Sequence, residues 1–223
     1  MHASVSPPAS SPSDVAVVVP VGGAAPALSK CARSLGRLDP VPGEIVVVVD
    51  GPNAGHEAVA AEIGATVVVA EERGGPAKAR NLGAAATAAS SLLFIDSDIE
   101  VPADLVARVV EVFSNNRDVA AIMGSYDDAP GDPGFSSQYR NLLHHYVHQK
   151  GNESASTFWA GCGAIRRDVF LEVGSFDENF PVPSIEDIEL GSRLLASGHE
   201  ILLVKDLQVK HLKRWSLGDM LAT

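Results

Sequence analysis

The chain has 223 residues, 46% of them hydrophobic and only 5% aromatic, with a formal net charge of −11. This length suits a single domain with an Ala/Val-rich α/β core, and the acidic balance without a basic stripe excludes a nucleic-acid footprint. Cys31 and Cys162 fit neither zinc spacing nor a disulfide framework, which points to a reducing, cytoplasmic compartment, and no apolar run approaches the ~18 residues needed to span a bilayer.

Residues 1–13 are Ser/Pro/Ala-rich, lack the basic start and apolar centre of a signal peptide, and are expected to form a disordered tail. Val15 to Val19 reads as a buried strand, and Leu28, Cys31, Leu35 and Leu38 recur at helical spacing, which makes Cys31 a core residue. Glu44 to Asp50 reads as a second buried strand ending on a carboxylate, followed by a helix from Ala54 to Ile63 and a strand from Thr66 to Ala70. Pro76 suits the first position of the next helix, which carries Lys78, Arg80 and Asn81 near its start as an anion site.

Leu92 to Ile95 is a short apolar run that ends on Asp96-Ser97-Asp98. Carboxylates spaced i, i+2 at the end of a buried strand suit a cleft at the carboxyl edge of an open α/β sheet. Hard divalent cations are often held there by one or two carboxylates and substrate phosphates. The bland alternative makes Asp96 a helix cap and Asp98 a solvated charge. Alternating strands and helices to about residue 125 require parallel pairing with right-handed crossovers, a nucleotide-binding α/β half.

The second half changes character. A helix from Phe135 carries an apolar stripe of Phe135, Tyr139, Leu142, Leu143 and Tyr146, expected to pack inward, with His144, His145 and His148 on a solvated or acceptor-facing surface. Thr157 to Ile165 reads as a strand in which Gly161 and Gly163 mark a close approach to the backbone. Trp159 is either a stacking platform or a core anchor. A helix opens at Ser184 and ends at Gly198, its first turn carrying Glu186, Asp187 and Glu189. Strands are expected at Ile201 to Val204 and Leu207 to Val209, the second leading to His211. Lys213 and Arg214 precede Trp215, Leu217, Met220 and Leu221 in a basic, amphipathic tail.

With these pieces in order, residues 15–215 resemble a family 2 glycosyltransferase of the GT-A fold. The resemblance rests on Val19-Pro20-Val21, Val49-Asp50-Gly51, Gly75-Pro76 through Arg80-Asn81, Asp96-Ser97-Asp98, Gly161-Cys162-Gly163 with Arg166-Arg167, Glu186-Asp187 and His211. It implies a mostly parallel sheet flanked by helices in one domain, residues 14–212, with a nucleotide-binding half (14–125) and an acceptor-binding half (126–212). It further implies transfer of a sugar, with inversion, from a nucleoside-diphosphate donor to a hydroxyl acceptor in cell envelope glycan biosynthesis. A UDP-sugar is the favoured donor and a GDP-sugar the other.

Carried over residue by residue, Pro20, Val21, Asp50, Lys78, Arg80, Asp96 and Ser97 would serve the donor. Asp98, Asp96 and His211 would serve Mn²⁺ or Mg²⁺, as a DXD motif completed by a histidine. Trp159, Gly161, Gly163 and Glu186 would meet the acceptor or sugar, and Asp187 would be the general base. The tail from 213 would lean on an anionic bilayer near a lipid-linked acceptor, a peripheral contact at the cytoplasmic face.

Rival nucleotide enzymes fare worse on motif. Gly22-Gly23-Ala24-Ala25 lacks the G-x-G-x-x-G of a dinucleotide site, and no G-x-x-x-x-G-K-[ST] is present. A sugar-phosphate nucleotidyltransferase would want a basic first loop, where only Lys30 and Arg33 lie near. A nucleotide-sugar-binding protein with a degenerate site stays open.

Overall fold

Val15–Val21 (β1) is buried along its whole length and forms the axis of the molecule. A computed structural model of the chain describes residues 11–216 and Gly218. Around β1 the first half builds as α1 (Leu28–Leu35), β2 (Glu44–Val49), α2 (Ala54–Glu62), β3 (Thr66–Val69), α3 (Gly75–Ala85), β4 (Ser91–Ile95), β5 (Ile99–Glu100), α4 (Leu105–Asn115) and β6 (Val119–Tyr126). The second half adds α5 (Phe135–Lys150), β7 (Cys162–Arg166), α6 (Arg167–Glu172), α7 (Glu186–Ala196) and β8 (Glu200–His211).

One eight-stranded sheet runs through both halves in the order β3-β2-β1-β4-β7-β6-β8-β5. Strands β1 to β4 pair in parallel, β7 runs antiparallel to both β4 and β6, and β6 and β8 pair in parallel. The mostly parallel sheet flanked by helices that the motifs lead one to expect is therefore present. Helices cover both faces, which is why β1, β2 and β4 are apolar runs rather than alternating ones. Gly83 lets α3 close on the sheet: a Cβ there would lie 2.4 Å from Val18 Cγ1 and 3.0 Å from Val48 Cγ2.

Several local expectations are corrected. Of the expected Thr157–Ile165 strand only the last four residues pair with the sheet, as part of β7 (Cys162–Arg166), and the segment before them packs Trp159 over Gly161. The two short strands expected after Gly198 are one, β8, with a register shift against β6 between Met123 and Ser125. Gly124 permits that irregularity, since a Cβ there would sit 2.4 Å from the Leu207 carbonyl oxygen.

Ordered structure also begins earlier than expected. Ser11 and Asp14 close a 3-10 turn at Pro12–Asp14, and Gly43 N–H donates to the Pro12 carbonyl at 3.0 Å. Residues 1–10 of the expected tail lie outside the described residues, as do Leu217, Met220 and Leu221.

The largest correction is the phase of α5. Its apolar stripe faces outward, with Phe135 79% and Tyr146 60% exposed, while Ser137 and Asn141 are buried. His144 and His148 turn inward into a ring cluster with Tyr126 and Trp159. Burial among these rings lowers the His144 pKa to about 3 and that of His148 to about 4, so both are neutral, packed rings.

Candidate functional site

The topology places the carboxyl ends of β1, β2, β4, β6 and β8 along one edge, since two successive antiparallel pairings through β7 restore the original direction. Asp50 follows β2, Asp96 and Asp98 follow β4, and His211 ends β8. The first turns of α3 and α7 open at the same edge, so the positive ends of their dipoles face it.

Asp50 ties β2 to α3. Its Oδ1 accepts from Gly74 N–H at 2.7 Å and its Oδ2 from Gly75 N–H at 3.1 Å, which caps the helix start beside Pro76. Gly75 has φ +82, and a Cβ there would strike the Pro181 carbonyl 2.3 Å away, so the loop before α7 seats directly on the start of α3. Asp50 also lines a cleft of about 310 Å³ with Gly51, Asn53, His56 and Arg73. Pro20 and Val21, expected to serve the donor, are buried in β1 opposite Val48 and Val49 and are not among the residues lining this cleft. Lys78 packs its stem against Gly74, and Ser97 is half-buried in the tight turn closed by Ile99 N–H on the Asp96 carbonyl.

Arg80 was expected to meet a nucleotide, but the guanidinium is buried and occupied. Nη2 donates to Asp96 Oδ1 at 2.8 Å and Nη1 to Glu186 Oε1 at 2.9 Å, with the Arg80 side chain 5% exposed. Glu186, expected at the acceptor, is therefore turned inward, and its second oxygen accepts from Ser184 N–H. Asp96 is likewise engaged by Arg80 on Oδ1.

Asp98 and His211 form a second pair, Nε2 to Oδ2 at 3.3 Å. Asn141 Oδ1 lies 2.6 Å from His211 Nδ1, which gives that nitrogen an acceptor and holds the ring with Nε2 turned toward Asp98. Tyr126 stacks on the imidazole with ring centroids 4.5 Å apart. Burial pushes the Asp98 carboxyl up, but the His211 contact, with the charge of Lys213, outweighs it and holds the group below its ordinary range. An anionic oxygen and an imidazole nitrogen converging in this way suit a divalent cation. Among the described residues no group of three or more His, Cys, Asp or Glu side chains is arranged to hold a metal on its own.

Asp187 leaves the first turn of α7 next to Glu186. Its Oδ2 accepts from Ala160 N–H at 3.3 Å and its Oδ1 from Ile188 N–H at 2.8 Å. Burial raises its pKa above the usual carboxylate value, with Arg80 acting in the opposite direction. Gly161 and Gly163, expected to admit a ligand, admit protein: a Cβ on Gly161 would lie 2.6 Å from the Trp159 ring, and one on Gly163 2.4 Å from the Trp159 carbonyl. Trp159 is half-buried, packed edge-on to Tyr126. Burial pushes Cys31 and Cys162 up to about 12, which removes both thiols as nucleophiles.

Sequence reasoning missed Asn141 and Tyr126. Asn141 stands three and seven residues before His144 and His148, so a polar helical face is visible in the sequence, but it reads as facing solvent or acceptor.

The sequence model of glycosyl transferase family 2 matches residues 16–174, most of the chain. The chain belongs to that family. Three solved structures share its fold. The mannosyltransferase PcManGT from Pyrobaculum calidifontis, in complex with GDP-Man and Mn²⁺, superposes with a TM-score of 0.68 at 19% identity, over 89% of this chain and 56% of that one. GalNAc-T7 with UDP, GalNAc and Mn²⁺ gives 0.69 at 21% identity, over 91% and 44%. TarS 1–349 of S. aureus gives 0.68 at 17% identity, over 88% and 60%. This family 2 chain thus spans about half the length of the proteins it superposes on. No helix among its described residues is long and apolar enough to cross a membrane.

Proposed function

We propose that the chain is an inverting glycosyltransferase that moves a sugar from a nucleoside-diphosphate sugar to a hydroxyl acceptor. The observation that carries the reading is the convergence of the Asp98–His211 pair, the Asp50 cleft and the first turn of α7 at one sheet edge in a family 2 chain. A UDP-sugar is the first donor to test and a GDP-sugar the second, these being the nucleotides named for the structural neighbours.

In this reading the nucleoside occupies the cleft at Asp50, whose carboxylate keeps lone pairs free beyond those given to Gly74 and Gly75. Asp98 and His211 Nε2 would hold Mn²⁺ or Mg²⁺ as the DXD-type site, with diphosphate oxygens and water completing the shell. The cation supplies charge neutralisation for the departing diphosphate. Asp187 takes the proton of the acceptor hydroxyl on its carboxylate. The hydroxyl oxygen attacks the anomeric carbon, whose bond to the β-phosphate oxygen breaks with its electron pair leaving on the nucleoside diphosphate. A raised Asp187 pKa favours this step, because a stronger base accepts the proton more readily. Ala160 N–H and Ile188 N–H fix the carboxylate's direction.

A lipid-linked acceptor, with glycan synthesis at the cell envelope, is favoured by the outward apolar face of α5. Trp215 packs beside the same helix, against Arg140 and Lys213, with its backbone N–H donating to Ser137 Oγ. Recovery with anionic vesicles on sedimentation supports that acceptor; recovery in the supernatant removes it.

The whole reading is tested by incubating the protein with an α-linked UDP- or GDP-sugar and Mn²⁺ and following the released or transferred sugar by NMR. The expected product is the β-anomer. Retention of the α configuration, or no turnover of any donor by folded protein, overturns it.

A further inference from the structure

Glu186 and Asp187 are neighbours on the first turn of α7, about 100° apart around the helix, and they do different things. Glu186 is 5% exposed, with one oxygen on Arg80 and the other on Ser184 N–H. Arg80 connects it to Asp96, at the end of the strand that leads to Asp98. On the other side, Asp187 Oδ2 accepts from Ala160 N–H, and the next residue, Gly161, accepts Asp96 N–H on its carbonyl. The contacts therefore close a ring: Asp96 side chain, Arg80, Glu186, Asp187, Ala160, Gly161 and back to Asp96 backbone.

We infer that Arg80 and Glu186 are positioning residues that hold Asp187 at a set place relative to the end of β4, where the donor's diphosphate is expected. This rests on the reading of Asp187 as the base. Stability alone is a poor reason for such a bridge, since a buried ion cluster is costly to desolvate and packed apolar side chains often serve as well. The cluster instead joins two elements whose spacing the reaction depends on, one carrying the metal-binding carboxylate and the other the base. Phe176 closes the remaining side, with its ring 5.4 Å from the guanidinium. That ring contact and the two-pronged hydrogen bonding suit Arg in a way that Lys does not.

The pair also sets the charge that Asp187 meets. Arg80 from α3 lowers its proton affinity and Glu186 from its own helix raises it. Tyr126 of β6 is the further titratable group that feels Asp187, and its phenol stays protonated.

The test compares Glu186→Gln, Arg80→Gln and Asp187→Asn, with turnover read as UDP release from a UDP-sugar in Mn²⁺. Glu186→Gln is isosteric and keeps an acceptor for Arg80, so its melting midpoint serves as the control for folding. It should keep nucleotide affinity within about twofold and lose up to ~10²-fold in kcat, the scale of a misplaced catalytic group. The acidic limb of its kcat/KM profile should move to lower pH, and that of Arg80→Gln to higher pH. A purely structural bridge would give neither opposed shift. Unchanged kcat and pH profile in folded Glu186→Gln overturn the inference, whether or not Arg80→Gln folds. Near-normal turnover in Asp187→Asn instead removes the base reading beneath it.

Discussion

His211 Nε2 stands 3.3 Å from Asp98 Oδ2, although 113 residues separate them in the chain. The contact exists because β5, just after Asp98, pairs antiparallel with the end of β8, setting Ile99 opposite His211. Asn141 on α5 then holds the other ring nitrogen. Three elements from both halves thus fix one imidazole ring, and the candidate metal site depends on all three.

Asn141 should therefore matter to the metal without touching it. Partners that orient a ligating histidine typically contribute 10- to 100-fold to affinity. Asn141→Leu is expected to weaken Mn²⁺ binding by about that factor, measured as free Mn²⁺ by electron paramagnetic resonance in the presence of UDP. Unchanged affinity would remove Asn141 from the account.

Close packing of α3 on the sheet gives a second expectation. A methyl at Gly83 meets Val18 and Val48 with no space to spare, and overpacking of this kind costs ~1–3 kcal/mol. Gly83→Ala should lower the melting midpoint by roughly 2–4 °C for each kcal/mol lost at this chain length. A midpoint equal to the wild type would show that the helix can retreat freely.

His144 and His148 make stability depend on pH. In the unfolded chain both rings protonate near their ordinary value of ~6.5, whereas in the folded chain they resist until about 3 and about 4. Between those limits the unfolded state binds more protons. Stability is complete above pH ~6.5 and is lost as pH falls through that window, by at most ~1.4 kcal/mol per pH unit for each ring. Urea unfolding at pH 7.5 and 5.0 should show the loss, and the double substitution His144→Phe, His148→Phe should reduce it. A double variant as pH-sensitive as the wild type would contradict the assignment.

The strands that carry the site were legible because apolar runs buried on both faces end abruptly on charge, as at Val49-Asp50 and Ile95-Asp96. Hydrophobic periodicity found α5 as a helix but not its orientation. The rule that apolar faces turn inward failed because Asn141, His144 and His148 have ring partners in Tyr126, Trp159 and His211, while Phe135 and Tyr146 face out. The β8 strand was split in the reading because residues 205 and 206 are charged, and the sheet absorbs them in its irregular stretch. Arg80 looked like a donor contact from its place at a helix start. Its real partner in the second half, Glu186, lies 106 residues away, and no local pattern reports such a pairing.

The central claim is a metal-dependent nucleotide site built on Asp98, and isothermal titration of UDP and of GDP into the protein tests it most directly. Titrations are run with Mn²⁺, with Mg²⁺ and with EDTA, for the wild type and for Asp98→Ala. The account predicts saturable binding of one nucleotide with a divalent cation, weakened at least ~10-fold by EDTA and by Asp98→Ala, since a charge-assisted metal contact is worth more than the ~1.4 kcal/mol that this factor represents. Binding of equal strength in EDTA, or in a folded Asp98→Ala variant, would contradict it.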